Sequence, residues 1–350
     1  MRSTLQDVAR RAGVSPSAAS AALRPGRSSN VRLAEATRQR VLEAAAALGY
    51  RTNPLARALR GEATRTIGVL WWLGSPSGRE FMARRIARML QVNDYSTYLA
   101  DHFASAEQVA EALKDFAVRG IDGVVLESDD TIAASRDVQQ AIQAFKAAVV
   151  VQPTETSLGT DNIVHDRYVA IREAVDHLVA TGRRRPVYLV ARHANLGKAS
   201  TFLDQLRRHG LTPAPDAVLD VDERHADNFG QLAIEALDAR EAGRANVGFD
   251  AVLATSDELA VGAIAWLRGR GLRVPDDVAV VGANDAHMAG FLDPPLASVD
   301  RREPELVSLI EEKLFRRLDA PDAPPTRTSL AMRFVWRPSA GGSAQHPGQP

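Results

Sequence analysis

The pattern of apolar positions in the first 60 residues predicts a group of short helices. Residues 5–12 carry an apolar residue every three or four positions, which is the spacing of one face of a helix. Thr4 precedes this segment and Asp7 follows three residues later, the signature of a capping box. Ser15 and Pro16 then predict the start of a second helix, because serine caps helices well and proline is favoured in the first turn.

Two further helical patterns follow. The second helix is predicted to continue to about Leu23, and a third is predicted over residues 34–48, ended by Gly49. Residues 55–60 also have a helical pattern, but six residues are too few to offset the cost of helix nucleation without a packing partner. We therefore expect residues 1–52 to form a small all-α domain and residues 53–64 a hinge helix and linker.

From Thr66 onwards, apolar strand patterns alternate with amphipathic helix patterns. Such repeats over about 270 residues predict parallel sheets in two α/β lobes, because a single core of that size would be too large. A ligand cleft is then expected at the carboxyl ends of the strands. The candidate strands are residues 66–73, 96–99, 123–126, 148–151, 186–191, 217–221, 251–254, 278–281 and 329–336, and candidate helices include residues 80–91, 106–118, 168–181 and 259–270.

These patterns give limits for the two lobes of a core over residues 65–337. The N-terminal lobe is expected to contain residues 65–162 and 291–322, and the C-terminal lobe residues 163–290 and 323–337. The last residues, 338–350, are rich in glycine and proline and are expected to form a disordered tail.

The composition is that of an ordinary globular chain, but its charge is unevenly distributed. The 350 residues are 45% hydrophobic and 25% charged, with 43 basic and 43 acidic residues. Twelve arginines and only four acids fall within residues 1–65, so this segment has a net charge of +8 and the remainder −8. A basic segment joined to an acidic body indicates a polyanionic partner for the first part alone.

Composition also excludes several classes of protein. The chain has no cysteine, which excludes disulfides, zinc–thiolate sites and thiol nucleophiles. No apolar run reaches the roughly 20 residues needed to cross a bilayer, and residues 1–30 lack the apolar segment of a secretory signal. A soluble cytoplasmic protein is therefore expected.

The segment from Leu5 to Leu23, LQDVARRAGVSPSAASAAL, closely resembles the helix-turn-helix of the lactose-repressor (LacI/GalR) family of bacterial transcription regulators. Further motifs resemble the family in the same order: TRQRV at residues 37–41, LGY at 48–50, NP at 53–54, TIGV at 66–69, SDELAVG at 256–262, GLRVPDDVAVVG at 271–282 and PPL at 294–296. The resemblance implies a homodimeric repressor. Its helix-turn-helix would bind a palindromic operator in double-stranded DNA, and its two-lobed core, similar to periplasmic binding proteins, would bind a small effector.

The resemblance also implies which residues of the first domain contact DNA. The implied set in and after the second helix comprises Ser15, Pro16, Ser17, Ser20, Ala21, Arg24 and Asn53. Of these, Pro16, Ser17 and Ala21 occupy the positions that face base edges in the major groove. Position 21 is often arginine in the family but is alanine here, so few direct contacts with base edges are expected. Specificity is then expected to come from contacts with thymine methyl groups and from DNA shape.

The hinge helix has a separate role in the family. Two hinge helices pair across a dimer and insert a leucine between base pairs at the operator centre, which kinks the DNA. Leu59 occupies that position, with Ala56 facing the groove and Arg60 near phosphate. Leu59 is also an apolar residue on a marginal helix with no evident core to join, which favours a partner-dependent role over that of an ordinary linker residue.

The effector candidates follow strand ends around the expected cleft. By resemblance, Asp257 accepts hydrogen bonds from ligand hydroxyls, although Ser256 and Asp257 can also begin a helix. Lys198 stands where the family usually has an arginine, whose bidentate contact a lysine cannot reproduce. The remaining candidates are Trp72, Ser75, Arg79 and Asn284. Trp72 could stack on a sugar, but a tryptophan at a strand end is more often core or interface. The effector is expected to be a sugar or related metabolite.

Two other functions fit the sequence less well. An enzyme is disfavoured because the chain has no Walker loop, no G-x-S-x-G motif and no histidine pair at metal-ligand spacing, and neither a cofactor nor a metal is expected. A solute-binding protein would share the two-lobed core, but it would carry a secretory signal in place of a basic helix-turn-helix.

Overall fold

The computed structural model describes residues 3–23, 34–50, 63–73, 79–101, 105–152, 154, 158–192, 197–222 and 228–342. It divides into two units, the first ending at Arg65 and the second starting at Thr66. None of the described helices is long and apolar enough to cross a membrane.

The described part of the first unit consists of three helices around a small, alanine-rich core. The helices are α1 (Leu5–Ala12), α2 (Pro16–Ala22) and α3 (Glu35–Ala47). They bury a cluster made of Val8, Ala9, Ala12, Ala19, Ala22, Val41, Ala44 and Ala45. The predicted fourth helix, residues 55–60, lies outside the described residues.

The helix ends of this unit follow the sequence signals. Thr4 Oγ1 accepts a hydrogen bond from the Asp7 amide at 3.3 Å, and the Asp7 carboxylate accepts one from the Thr4 amide at 2.9 Å, which confirms the capping box. Ser15 Oγ accepts from the Ala18 amide at 3.2 Å and caps α2. Ala34 precedes α3 and offers no side-chain cap, which costs about 1 kcal/mol relative to serine.

The N-terminal lobe of the second unit is built on a six-stranded sheet whose neighbouring strands are all parallel. Its strands are β1 (Thr66–Trp71), β2 (Ser96–Asp101), β3 (Gly123–Glu127), β4 (Ala147–Gln152), β5 (Asp161–Asp166) and β11 (Arg327–Ala331), in the order β11-β5-β4-β3-β1-β2. Its helices are α4 (Arg79–Val92), α5 (Ala106–Val118), α6 (Asp130–Ala134), α7 (Arg136–Ile142) and α12 (Glu303–Asp319). Helices α4 and α12 pack on one face, and α5, α6 and α7 pack on the other.

The C-terminal lobe repeats this plan. Its strands are β6 (Pro186–Ala191), β7 (Val218–Val221), β8 (Ala251–Ala254), β9 (Ala279–Asn284), β10 (Ala297–Asp300) and β12 (Arg333–Val335), in the order β12-β10-β9-β8-β6-β7. Only β12 is antiparallel to its neighbour within this sheet as described. Helices α8 (Tyr168–Ala180) and α9 (Lys198–Arg208) cover one face, and α10 (Phe229–Glu241) and α11 (Asp257–Gly269) cover the other. The expected two-lobed α/β core is therefore confirmed.

The chain passes between the lobes three times, at positions that differ from the sequence-based limits. The crossings lie between β5 and α8, between β10 and α12, and between β11 and β12. Strand β10 therefore belongs to the C-terminal lobe, whereas all of β5 and β11 belong to the N-terminal lobe, contrary to the limits at residues 162, 291 and 323. The predicted strand 329–336 is two strands in different sheets, because only Met332 separates them and no turn residue marks the crossing.

Strands β5 and β10 were not among the expected strands, for a physical reason. In β5, the polar residues Asp161, Asn162 and His165 are buried, so the segment shows no apolar run. Strand β10 has only four residues, with Ser298 fully buried. Both strands hide polar side chains that are satisfied by partners far away in the sequence, and no local pattern reports such partners.

The expectation of a disordered tail is wrong for residues 338–342. Residues Pro338–Ala340 form a short 3₁₀ helix in which Ser339 is fully buried. Ser339 Oγ donates to the Val280 carbonyl at 2.7 Å and accepts from the Ala297 amide at 2.8 Å. These bonds fasten the segment to β10 and to the strand beside it. Residues 343–350 lie outside the described residues.

Helices α10 and α11 approach each other closely at two glycines, Gly230 and Gly262. A Cβ atom on Gly262 would lie 2.2 Å from the Gly230 carbonyl oxygen, so an alanine there forces backbone apart. We expect Gly262→Ala to lower the free energy of unfolding by about 1–3 kcal/mol in chemical denaturation. Gly269→Ala in the same helix meets no atom within 4 Å and should be neutral or slightly stabilising. Equal effects of the two changes would contradict the close approach.

Candidate functional site

Helix α2 presents a small polar surface that is available to a partner. Ser15, Pro16 and Ser17 are exposed, and Ser20 and Ala21 are half-buried, while the opposite side of the helix is fixed in the core of the unit. Ser15 Oγ and Ser17 Oγ lie 2.9 Å apart and share a hydrogen bond. The other DNA-contact candidates, Arg24, Asn53, Ala56, Leu59 and Arg60, lie outside the described residues.

A cleft between the two lobes of the second unit forms at the carboxyl ends of the strands. Parallel strands bring the residues that follow them to the same sheet edge, which is where α/β proteins bind ligands. The lining residues of the cleft are Trp72, Glu127, Ser128, Val151, Gln152, His165, Arg167, Ile171, Tyr188, Ala191, Lys198, Phe229, Leu253, Ala254, Thr255, Ser256, Ala283, Asn284, Val299, Arg301 and Met332.

The charged side chains of the cleft come from both lobes and from the crossings. Glu127 ends β3, and its Oε2 accepts a hydrogen bond from the Trp72 amide at 3.3 Å. Arg167 and Arg301 lie on the first and second crossings, and Lys198 begins α9. Arg301 Nη2 lies 3.9 Å from Glu127 Oε1, at the outer limit of an ion pair. Lys198 and Arg301 are both more than nine-tenths buried.

His165 joins two of the crossings as a neutral side chain. Burial lowers the pKa of His165 to about 3, assisted by the positive charges of Arg301 and Arg167. Its Nε2 lies 2.7 Å from the Arg301 carbonyl oxygen, which can only accept, so Nε2 carries the proton and donates it. The end of β5 is thereby tied to the segment between β10 and α12.

Three of the six effector candidates line the cleft. These are Trp72, Lys198 and Asn284. Trp72 packs within the apolar cluster of the C-terminal lobe although it follows a strand of the N-terminal lobe, which matches an interface role. Ser75 lies outside the described residues, and only the backbone of Arg79 is described. Asn284 has a φ of 99°, a left-handed conformation that asparagine tolerates better than most residues.

Asp257 is not among the residues that line the cleft, and its carboxylate is bonded within the C-terminal lobe. Asp257 is fully buried at the start of α11. One oxygen accepts from Ser298 Oγ at 2.6 Å and the other from the Ala286 amide at 2.6 Å. A Cβ atom on Gly282 would lie 2.2 Å from Asp257 Oδ1, so the carboxylate packs directly on the β9 backbone. The residue ties α11 to β9 and β10, and its helix-starting role is the one that the structure supports.

Sequence reasoning missed Glu127, His165, Arg167 and Arg301. Glu127 follows an apolar strand directly, which is a signal that could have placed it in the cleft. His165 lies near the end of a strand that was not predicted, and Arg167 and Arg301 lie on crossings between the lobes. Their positions could not be predicted without the correct sheet order. Among the described residues, no group of three histidine or acidic side chains could hold a metal ion.

Two family models match this chain. Residues 4–53 match the model described as bacterial regulatory proteins, lacI family, and residues 175–340 match that of a periplasmic binding protein-like domain. The ribose operon repressor of Haemophilus influenzae is 28% identical over 323 residues, covering 91% of this chain and 93% of that protein. The transcriptional repressor PurR of Mannheimia succiniciproducens is 25% identical over 344 residues, covering 96% and 98%.

Solved structures share the architecture over almost the whole chain. A lac repressor dimer bound to operator and the anti-inducer ONPF superposes with a TM-score of 0.80 at 21% identity, covering 97% of this chain and 99% of that one. A complex of the transcriptional regulator CelR with cellobiose superposes with a TM-score of 0.64 at 23% identity, covering 97% and 100%. At these identities the likeness establishes the fold.

Proposed function

We propose that this chain is a repressor of the LacI family and that it binds a palindromic DNA operator as a homodimer, as its matches to the lacI-family and periplasmic binding protein-like models suggest. A small-molecule effector in the cleft of the second unit would control the affinity for the operator. The observation that carries the proposal is a helix-turn-helix with an exposed polar α2 surface, followed in the same chain by a cleft lined with buried charges. Such a protein would act in the cytoplasm, on the nucleoid.

DNA recognition by α2 is proposed to rest on few direct contacts. Among the proposed base-facing residues, Ser17 offers an exposed hydroxyl and Ala21 only a methyl group. A methyl group can contact thymine, whereas bidentate pairing with guanine needs an arginine or lysine. Operator choice would then depend on DNA deformability and on the hinge, for which Leu59 is the candidate wedge.

The homodimer is supported by apolar side chains on the surface of the second unit. Phe81, Val92 and Leu99 are exposed on the N-terminal lobe, and Met288 and Phe291 on the C-terminal lobe. Phe291 is 89% exposed, which is unusual for a phenylalanine. Exposed apolar groups on both lobes fit an interface that responds when the angle between the lobes changes, and an effector would then alter operator affinity by about 5–150-fold.

Selection of genomic DNA tests this function. We expect the full-length protein near physiological salt to enrich a palindrome of about 14–20 base pairs, the length that two half-sites on one face of the duplex require. Ser17→Glu should weaken binding at least tenfold, because it adds a negative charge to the exposed α2 surface that would enter the groove of the negatively charged duplex. The new glutamate lies in the first turn of the helix, where acids are favourable, so the fold should be retained.

The control variant adds the same negative charge at an exposed position outside α2. Ala46→Glu adds a glutamate to the exposed side of α3 and should leave enrichment nearly unchanged. Equal losses in the two variants would assign the effect to net charge, and a selection without any palindrome would remove the operator-binding proposal.

A further inference from the structure

The cleft holds more positive than negative charge. Arg167, Lys198 and Arg301 are cationic, Glu127 is the one carboxylate among the described lining residues, and His165 is neutral. The Glu127 carboxylate lies 3.9 Å from Arg301 Nη2, which is long for an ion pair, and its charge also acts on Arg167. The described lining residues of the cleft therefore carry a net charge of about +2, in surroundings where charges are poorly screened.

Arg301 is buried and Arg167 is half-buried, and neither guanidinium group is fully hydrogen-bonded. The Nε atoms of Arg167 and Arg301 have no hydrogen-bond partner among the described residues, and Arg301 is only 6% exposed. In the described part of the chain, no carboxylate forms an ion pair with Arg167. Burial lowers the pKa of Arg167. Tyr168 and Glu127 oppose this shift, and the charge of Arg301 adds to it. Two cations that share one distant carboxylate and lack full hydrogen bonding destabilise a fold, so their presence needs a reason.

We propose that the effector of this protein is an anionic small molecule whose carboxylate or phosphate group binds between Arg167 and Arg301, with Lys198 as a third cation. This inference rests on the proposed effector control and specifies the chemistry of the effector. Arginine forks match the oxygen pairs of carboxylate and phosphate, and a buried charge-assisted bond of this kind is strong. A neutral ligand would leave the excess of positive charge in place.

The remainder of the cleft suits a hydroxylated body. Ser128, Thr255 and Asn284 supply uncharged donors and acceptors, while Tyr188 and Phe229 supply aromatic surface. This mixture of a few polar groups on an apolar wall is typical of small-molecule sites. A sugar acid or a sugar phosphate combines the anion with the hydroxyl groups that such a lining accepts.

The location of the two arginines explains how such a ligand would act. Each arginine lies on a crossing between the lobes, and the Arg301 backbone is bonded to His165 at the end of β5. An anion that draws the two guanidinium groups together therefore acts directly on the crossings between the lobes. The lobe angle would change without any need for the ligand to span the full width of the cleft.

Thermal unfolding of the full-length protein tests the proposal with defined probes. The probes are inorganic phosphate, gluconate, glucose 6-phosphate and, as the neutral counterpart, glucose, each against sodium chloride of equal ionic strength. We expect at least one anion at about 10 mM to raise the Tm by about 3–8 °C, and glucose to raise it by less than about 1 °C. A response to gluconate alone identifies a carboxylate ligand, and a response to the phosphates identifies a phosphate ligand.

Substitutions distinguish anion binding in the cleft from anion binding to the basic first unit. Arg167→Gln/Arg301→Gln should abolish the anion-induced rise. Arg207→Gln/Arg273→Gln removes the same charge from exposed ion pairs and should keep the rise. If the first double variant does not fold, Arg167→Met preserves the apolar stem and serves in its place.

The outcomes are distinct. The proposal is overturned if no anion exceeds the salt control, if glucose matches the anions, or if the rise survives in Arg167→Gln/Arg301→Gln. An anion response without palindrome enrichment would reject the repressor function and keep the anion site. Palindrome enrichment without an anion response would keep the repressor function and reject the anion site.

Discussion

Asp161→Ala is expected to lower the free energy of unfolding by about 3–5 kcal/mol, which is the largest effect anticipated for a single change in this chain. Asp161 is fully buried at the start of β5. Its carboxylate accepts from Arg317 Nε at 2.8 Å, from Arg316 and, at 2.7 Å, from both the amide and the hydroxyl of Thr326. Removal of the carboxylate leaves Arg317, itself 7% exposed, as an uncompensated buried cation.

The control for this prediction is an exposed ion pair. Asp204→Ala removes the partner of Arg207 on the surface of α9 and should cost less than about 1 kcal/mol. Urea denaturation of both variants at neutral pH gives the comparison. A loss below about 1 kcal/mol for Asp161→Ala would show that the buried network does not hold β5 to α12.

The same carboxylate should stabilise the fold in a pH-dependent way. Burial by itself would raise the pKa of Asp161, but hydrogen bonds from Arg317 and Thr326 outweigh it and hold the pKa below its usual value. The folded state therefore favours the ionised form, and this stabilisation is present above the pKa of the unfolded chain, near 4. It is lost as the pH falls through the folded pKa, so the cost of Asp161→Ala should shrink in acid.

Asp257→Ala is expected to cost about 2–4 kcal/mol, because it leaves two buried donors, the Ser298 hydroxyl and the Ala286 amide, without an acceptor. The pH dependence should run opposite to that of Asp161. Burial raises the pKa of Asp257 to about 7, in spite of those two hydrogen bonds. The folded chain retains this proton between about pH 4 and 7 while the unfolded chain loses it, so the contribution to stability falls as the pH rises through that window.

Asp257→Asn provides the matched variant. The amide remains uncharged at every pH, so the stability of the variant relative to the original chain should increase between pH 5 and pH 8. Guanidinium denaturation at the two pH values measures the difference. A constant difference would contradict the raised pKa, and a fully stable Asp257→Ala that merely fails to bind the effector would restore the role implied by the family resemblance.

Most of the architecture could be predicted because its signals are local. The capping box of Thr4 and Asp7, the Ser15–Pro16 helix start and the apolar runs of β3 and β4 each report the structure of the residues that carry them. Strands β5 and β10 gave no such signal, because their buried polar side chains have distant partners. The partners of Asp161 lie 155 to 165 positions further along the chain, and the partner of Ser298 lies 41 positions before it. Lobe limits that depended on those strands were therefore displaced.

The candidate site could be predicted only in part, for a related reason. Trp72, Lys198 and Asn284 adjoin strands with clear apolar patterns, so their place near the cleft followed from the expected sheets. Arg167 and Arg301 lie where the chain changes lobe, and composition does not distinguish such an arginine from a solvated one. For Asp257 the sequence could not separate the two roles, because a helix-starting acid and a ligand-binding acid look alike in sequence.

The threefold crossing also determines the order in which the protein can be completed on the ribosome. Strand β11 (residues 327–331) pairs with β5 (residues 161–166), so the first sheet lacks one edge strand until nearly the entire chain has been made. At about 5–20 residues per second, β5 would wait roughly 10–30 s with an unpaired edge while the C-terminal lobe is synthesised. Open strand edges promote aggregation, so the nascent chain is most vulnerable in that interval. Slower translation between β5 and β11 would lengthen this vulnerable interval. The helix-turn-helix is not affected, because its residues are made before β5.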